Sequence, residues 1–246
     1  MKAIGAIIGG TGILSSVPVG ESLPVCVPTA DGLVRGLYLK ERRVFFFPRH
    51  GGAHKVPPHR VPYRGLALAA RMLRVPRVVS TGAVGSLRSD LPAGSIVACS
   101  DLLDFSARNL TLYESSVVHT DMTHPFDPAL RHAFRKSAEE VSERIEENGV
   151  YVCVNGPRYE TPAEIAFYRQ AGGDVIGMTV GSEAIAMREA GVPYACLACV
   201  TNLAAGLSPG SLSHEEVVAN MDTLAHRLLT IIFRTLEAMD EDAGKD

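Results

Sequence analysis

Short apolar runs rich in β-branched and aromatic residues alternate along the chain with stretches whose apolar positions recur every three to four residues. The runs at 2–8, 33–39, 43–48, 77–81, 94–99, 150–154, 174–176 and 193–201 read as strands, and helical spacing marks 61–74, 128–143, 162–171, 182–190 and 214–239. Strands that alternate with helices in the later part imply an α/β fold, a central mixed β-sheet flanked by helices on both faces. Two helix starts are explicit: Thr161-Pro162-Ala163-Glu164 and Ser213-His214-Glu215-Glu216 both fit a capping box, the first with proline at the opening helical position. After the second, Val217, Val218, Met221, Leu224, Leu228, Ile231 and Ile232 form one apolar stripe that docks the last helix on the sheet. No repeat or linker interrupts the pattern, so a single domain is expected over 1–240, with a frayed tail at 241–246.

Composition narrows the classes. A chain of 246 residues with 46% hydrophobic and 21% charged residues can bury a large core and needs no covalent staples. The net charge of −3 provides no field for polyanions, and the cluster from Lys40 to Arg43 reads as a solvated turn, so nucleic acid is not an expected partner. No apolar run approaches the roughly 18 residues a membrane span requires. The apolar start, Met1 to Ile8, runs into glycines at once and reads as a first strand instead of a signal peptide. Five cysteines cannot all pair and lie in apolar segments, which points to a reducing cytoplasm. Cys196 and Cys199 have C-x-x-C spacing, but residues three apart on a strand face opposite ways, so neither redox nor zinc chemistry is expected there.

The candidate chemistry gathers at strand ends. The first strand runs into Gly9-Gly10-Thr11-Gly12, a turn whose backbone N–H groups and hydroxyl can converge on an anion. A dinucleotide fingerprint would place a third glycine where Ser15 stands and an acidic strand end where Asp31 precedes a turn glycine, so a nicotinamide cofactor is disfavoured. The strand at 43–48 delivers Arg49 and His50 together, a forked cation and a second donor for a tetrahedral anion. His50, His54 and His59 lack a nearby carboxylate or cysteine partner, so no metal is expected. The strand at 77–81 is expected to end in the small-residue turn Gly82-Ala83-Val84-Gly85-Ser86. Three such ends on one sheet edge make a phosphate site.

With Gly156-Pro157-Arg158-Tyr159-Glu160-Thr161 and Gly177-Met178-Thr179 added in order, the chain resembles the trimeric nucleoside phosphorylases from about residue 3 to 235. That family includes purine nucleoside and methylthioadenosine phosphorylases. The resemblance implies that Thr11, Arg49, His50, Gly82, Ala83 and Thr179 hold phosphate, that Met178 lies against the ribose and that Tyr159 packs on the base. It also implies a homotrimer or a dimer of trimers, in which His119 reaches the 5′ side of a neighbour's nucleoside. Phosphate is a co-substrate, and neither metal nor organic cofactor is implied.

Two positions read the base. An Asn202 amide can donate to O6 and N7 of a 6-oxopurine, and an ionised Glu160 accepts from N1–H and the 2-amino group of guanine. Adenosine-type members of the family carry Asp-x-Asp after the threonine and typically serine at the glutamate position. Here the segment is Thr201-Asn202-Leu203-Ala204, with Ala204 beside the base, so inosine and guanosine are the expected substrates. Asn202 and His50 are the expected catalytic groups: one eases departure of the base, the other positions the nucleophile. His214 favours a 5′-hydroxyl; turned away from the site, it would leave 5′-methylthioinosine or methylthioadenosine as the better substrate. A nucleoside-binding protein without activity is the competing class. The chain departs from the family at Val61-Pro62-Tyr63-Arg64-Gly65-Leu66, where two asparagines are missing, and at Gly181-Ser182-Glu183, which keeps the carboxylate of the usual Val-Pro-Glu but is expected to loosen the turn.

Overall fold

A computed structural model describes residues 2–52, 55–208 and 213–244, the side chains of His214, Glu216 and Asp222 excepted. In chain order the strands are β1 (Gly5–Gly9), β2 (Ser22–Thr29), β3 (Gly32–Leu39), β4 (Val44–Pro48), β5 (Val78–Ser86), β6 (Ile96–Asp104), β7 (Ile145–Cys153), β8 (Val175–Gly177) and β9 (Tyr194–Leu203). The helices are α1 (Tyr63–Met72), α2 (Pro128–Glu140), α3 (Pro162–Gln170), α4 (Val180–Ala190) and α5 (His214–Ala243). All nine strands join one mixed sheet.

Strand β5 is the hinge of the topology. Its first residues pair with β1, which continues through β4 and β3 to the edge strand β2. Along its other side β5 pairs with β9, and from β9 the sheet passes through β6, β7 and β8 back to the end of β5. Five strands therefore close into a ring while four remain as an open wing.

The alternation of side chains sorts the core into two layers. Phe45 and Phe47 face α1 and α4, in company with Leu66, Ala67, Val180 and Met187. Phe46, between them, faces α2 and α5, with Phe134, Met221, Leu228 and Ile232. Cys196 and Cys199 divide between these two layers as their spacing on a strand requires. A smaller cluster seats Ile165 and Tyr168 of α3 against Leu87, Val152 and Ile176, which fixes the helix that follows Glu160.

Several boundaries differ from expectation. Strand β2 is absent from the sequence reading because Pro24 and Pro28 interrupt it; both lie on the sheet edge, where a missing N–H costs no ladder bond. The expected turn at Gly82–Ser86 is instead the second half of β5. Small residues there permit β8 and β9 to approach from both sides, so the chain stays extended. The expected loosening at Gly181 does not occur: α4 begins at Val180, and a Cβ on Gly181 would lie 2.6 Å from Cys153 Cβ, so the glycine allows helix and strand to meet closely. The tail expected to fray at Glu241 is helical to Ala243, beyond Arg42–Glu237 and Arg43–Asp240 ion pairs that tie α5 to the turn before β4. No helix among the described residues is long and apolar enough to cross a membrane.

The capping box at Thr161 is complete: Glu164 N donates to Thr161 Oγ1 at 3.2 Å, and Thr161 N donates to Glu164 Oε2 at 2.8 Å. The side chains of the second box lie partly outside the described residues. Replacing Thr161 with alanine is expected to lower unfolding free energy by about 1 kcal/mol. Chemical denaturation reads the loss, and an unchanged midpoint would contradict the cap.

Candidate active site

Registers Gly9↔Pro48 and Ile8↔Ser80 align the carboxyl ends of β1 and β4 beside the middle of β5. Arg49 N donates to Gly9 O at 3.0 Å and Gly10 N to Thr81 Oγ1 at 3.0 Å, locking the glycine-rich turn to its neighbours. Beside these ends lies a cavity of about 370 Å³ that extends to Tyr159, Glu160 and Asn202. Of the sequence-predicted residues it brings together Thr11, Arg49, His50, Ala83, Tyr159, Glu160, Met178, Thr179, Asn202 and Ala204.

Arg49 is buried and its guanidinium is engaged on every nitrogen. Nε and NH2 donate to the two Glu183 oxygens at 2.5 and 2.8 Å, and NH1 donates to the Thr81 carbonyl at 2.8 Å. Tyr194 donates to the same carboxylate at 2.7 Å, and its hydroxyl shares a 2.6 Å hydrogen bond with Ser80. Burial pulls the Arg49 pKa down, but the Glu183 charge and hydrogen bonds more than offset it and hold the guanidinium charged. Gly10 permits this placement, since a Cβ there would lie 2.5 Å from Arg49 NH1 and 2.9 Å from the Thr81 carbonyl.

The other anion-side groups are aimed by hydrogen bonds of their own. His50 Nδ1 lies 2.8 Å from the Val56 carbonyl, an acceptor, so Nδ1 carries the proton. Val56 N donates back to His50 O at 3.0 Å. Thr179 stands at the N-cap of α4 but makes no side-chain cap bond. Tyr151 accepts at 3.4 Å from the N–H groups of Thr179 and Val180, which holds the start of the helix, and the Thr179 side chain lines the cavity.

The base-side groups depend on a bulge. Val84 pairs with Val200 and Gly85 with Asn202, so Thr201 is an extra residue in β9 that turns Asn202 toward the cavity. Thr201 Oγ1 donates to Asn202 Oδ1 at 2.8 Å, and Asn202 Nδ2 donates to Leu203 O at 2.9 Å. The amide is oriented with one N–H still available. Opposite it, Glu160 is half-buried, and burial pushes its carboxyl above the ordinary range, with Glu164 adding repulsion and Arg158 offsetting part.

Two predicted residues stand apart from this group. Gly82 lies within β5 next to Ala83 and does not line the cavity. His119 is exposed on the segment before α2 and does not line it either. His214 opens α5, but its side chain lies outside the described residues. Other groups were missed. Glu183 registers in the sequence only as a carboxylate retained after Thr179, and Tyr194 only as a core residue of β9. Arg108 carried no motif at all. Its guanidinium donates to the Met178 carbonyl at 2.9 Å, Ser182 Oγ at 2.7 Å and the Asn155 carbonyl at 2.6 Å, and it stacks on Tyr63. Tyr63 in turn donates to the Pro58 carbonyl at 2.7 Å, so this departing segment supports the cavity wall by contacts of its own. Among the described residues no three His, Cys, Asp or Glu side chains gather as a metal-binding group.

The description of the phosphorylase superfamily matches residues 6–237. The chain belongs to that superfamily. Among curated relatives, a probable 6-oxopurine nucleoside phosphorylase of Moorella thermoacetica is 42% identical, over 94% of this chain and 91% of that protein. A probable S-methyl-5′-thioinosine phosphorylase of Methanopyrus kandleri is 39% identical over the same shares. Among solved structures, a methylthioadenosine phosphorylase from Schistosoma mansoni in complex with adenine superposes with a TM-score of 0.89 at 25% identity, covering 98% of this chain and 93% of that one.

In this phosphorylase, Glu183→Gln is expected to leave a buried Arg49 without its counter-charge, at a cost of about 3–5 kcal/mol in stability. Tyr194→Phe removes only the hydroxyl, with an expected loss of about 1.5–3 kcal/mol. Urea unfolding of both variants measures the order, and a smaller loss for Glu183→Gln would contradict the ion-pair reading.

Proposed function

We propose that the protein cleaves 6-oxopurine nucleosides, inosine and guanosine, with inorganic phosphate to give the free purine and ribose 1-phosphate. The observation that carries this reading is the union in one cavity of an anion-holding end with Glu160 and Asn202. On this reading Thr11, Arg49, His50, Thr179 and the backbone at Ala83 hold phosphate on one face of the ribose. Met178 packs on the sugar and Tyr159 on the base, with Ala204 beside it. Phosphate attacks C1′ as the bond to N9 breaks through a cation-like ribosyl transition state. Catalysis then consists of positioning the anion and stabilising negative charge that grows on the purine.

Asn202 serves the second task by donating to N7 or O6 with an amide already oriented by Thr201. Glu160 accepts from N1–H, a contact that a 6-aminopurine, with a lone pair at N1, cannot make. The relatives named for 6-oxopurine nucleosides, at 36–42% identity, support this choice. The proposal needs no metal or organic cofactor. It includes a cytoplasmic homotrimer, or a dimer of trimers, in which His119 completes a neighbour's 5′ site.

A second reading is favoured by Val217. It lines the cavity one helical turn after His214 and offers an apolar surface that suits a thioether, and relatives named as S-methyl-5′-thioinosine phosphorylases fit that surface. Initial rates on inosine, guanosine, adenosine, methylthioadenosine and methylthioinosine, with and without phosphate, decide between them. The expected result is phosphate-dependent cleavage of inosine and guanosine over adenosine. Preference for methylthioinosine over inosine favours the second reading, and binding without turnover would leave a nucleoside-binding protein.

Base reading is tested by substitution. Glu160→Ala is expected to lower kcat/KM for guanosine roughly 10- to 100-fold, the range for one lost hydrogen bond to a charged group, with little effect on adenosine. Asn202→Asp is expected to shift preference toward adenosine. Unchanged ratios in both variants would overturn this docking of the base.

The raised Glu160 carboxyl adds a pH signature, because only its ionised form accepts from N1–H. Activity on guanosine is therefore expected to fall on acidification through a pKa above the ordinary carboxylate range. Glu160→Gln is expected to lack that limb, and its persistence would assign the limb to another group.

A further inference from the structure

We propose that Lys55 supplies the net positive charge that retains phosphate in the cavity. The inference rests on the proposed reading that the Thr11–Arg49–His50 end is the phosphate site, and it begins from the charges around that end. Arg49 is the obvious cation, yet both of its carboxylate-facing nitrogens bind Glu183, and neither partner is exposed to water. The buried pair is neutral as a unit. It presents N–H groups to an anion and almost no field.

The other groups at this end add hydrogen-bond donors. Thr11 and Thr179 have hydroxyls, Ala83 a backbone amide, and His50 has one ring nitrogen pledged to the Val56 carbonyl. At the far end Glu160, when ionised, adds a negative charge. For a phosphate carrying one to two negative charges, neither the neutralised Arg49 nor these hydroxyls and this amide supply a compensating charge. Hydrogen bonds alone compensate poorly for taking such an ion from water.

Lys55 alters that balance. It lines the same cavity, and among the described residues it is the one lysine or arginine there without a carboxylate partner. Its backbone position is also set by the anion site: Val56, the next residue, exchanges two hydrogen bonds with His50, one through its N–H and one through its carbonyl. The flexible stem and compact ammonium of lysine suit a charge that approaches a bound ion from the solvent side, whereas a directional fork is already present in Arg49. Lys55 is exposed, so its field is screened by salt, in contrast to the buried pair.

The test measures phosphate binding to the nucleoside-free protein by calorimetry, for the wild type, Lys55→Met and Lys55→Arg, at low and high sodium chloride, with thermal melts to verify folding. Steady-state KM values for phosphate and for inosine accompany it. Lys55→Met is expected to weaken phosphate about tenfold at low salt and to flatten the salt dependence, while Lys55→Arg stays within about twofold and the inosine KM barely moves. A merely structural role for Lys55 would not change the salt slope. Phosphate binding to Lys55→Met within about twofold of the wild type, equal losses in the two variants, or a wild type that binds no phosphate overturns the assignment. Inactivity of the wild type on all nucleosides, with the calorimetric loss intact, would remove the proposed substrates and leave the charge assignment standing.

Discussion

The buried pair between Arg49 and Glu183 is the constraint around which the cavity is organised. It joins the end of β4 to the first turn of α4, and Tyr194 and Ser80 extend it into β9 and β5. Each of these elements also supplies the cavity with a lining residue: His50 follows β4, Thr179 precedes α4, Asn202 ends β9 and Ala83 lies in β5. One electrostatic contact thus fixes the relative position of four walls. An ion pair so deeply buried adds little net stability, because the desolvation of both charges offsets their attraction. Its value here is geometric, and the cost of breaking it keeps the walls in register.

The same logic explains the division of work between backbone and side chains. Tyr151 accepts from the N–H groups of Thr179 and Val180 at the start of α4, and the Thr179 side chain, which makes no cap bond, lines the cavity. The extra residue Thr201 turns the end of β9 so that Asn202 enters the cavity, and the same Thr201 hydroxyl orients the amide. Arg108 joins Met178, Asn155 and Tyr63 behind the opposite wall. Tyr151 and Arg108, which do not line the cavity, thus hold polar groups beside it, and Thr201, which does line it, orients Asn202.

These supporting residues mark the limit of what the sequence discloses. The lining groups were legible because they sit at strand ends and helix starts, where Gly9-Gly10-Thr11, Arg49-His50 and the Thr161 cap leave local signatures. Glu183, Tyr194 and Arg108 sit in a helix, a strand and a loop with no local signature, and their roles arise from contacts 134, 114 and 70 positions away. Strand β2 was lost to its prolines, which report local propensity and say nothing of an edge position. The Gly82–Ser86 segment looked like a turn for the same reason: small residues signal a turn in isolation, but here they allow two strands to approach one.

Specificity divides along these lines as well. The groups assigned to the anion and the base stand at the ends of β1, β4 and β9, in β5 and at the starts of α3 and α4, and the buried pair and strand register tie most of these elements together. A change at one of them would disturb several walls. The 5′ side is assigned to the first turns of α5, with Val217 at the cavity and His214 at the helix start, and Asn220 ties those turns to the end of β9 by donating to the Thr201 carbonyl at 2.7 Å. A substitution at Val217 alters the helix surface at the cavity and leaves that tie and the strand registers in place. Relatives at similar identity carry names for 6-oxopurine nucleosides in some cases and for S-methyl-5′-thioinosine in others. On the proposed reading such an architecture would permit that distribution, because the base would meet Glu160 before α3 and Asn202 at the end of β9, while the 5′ substituent would face the start of α5.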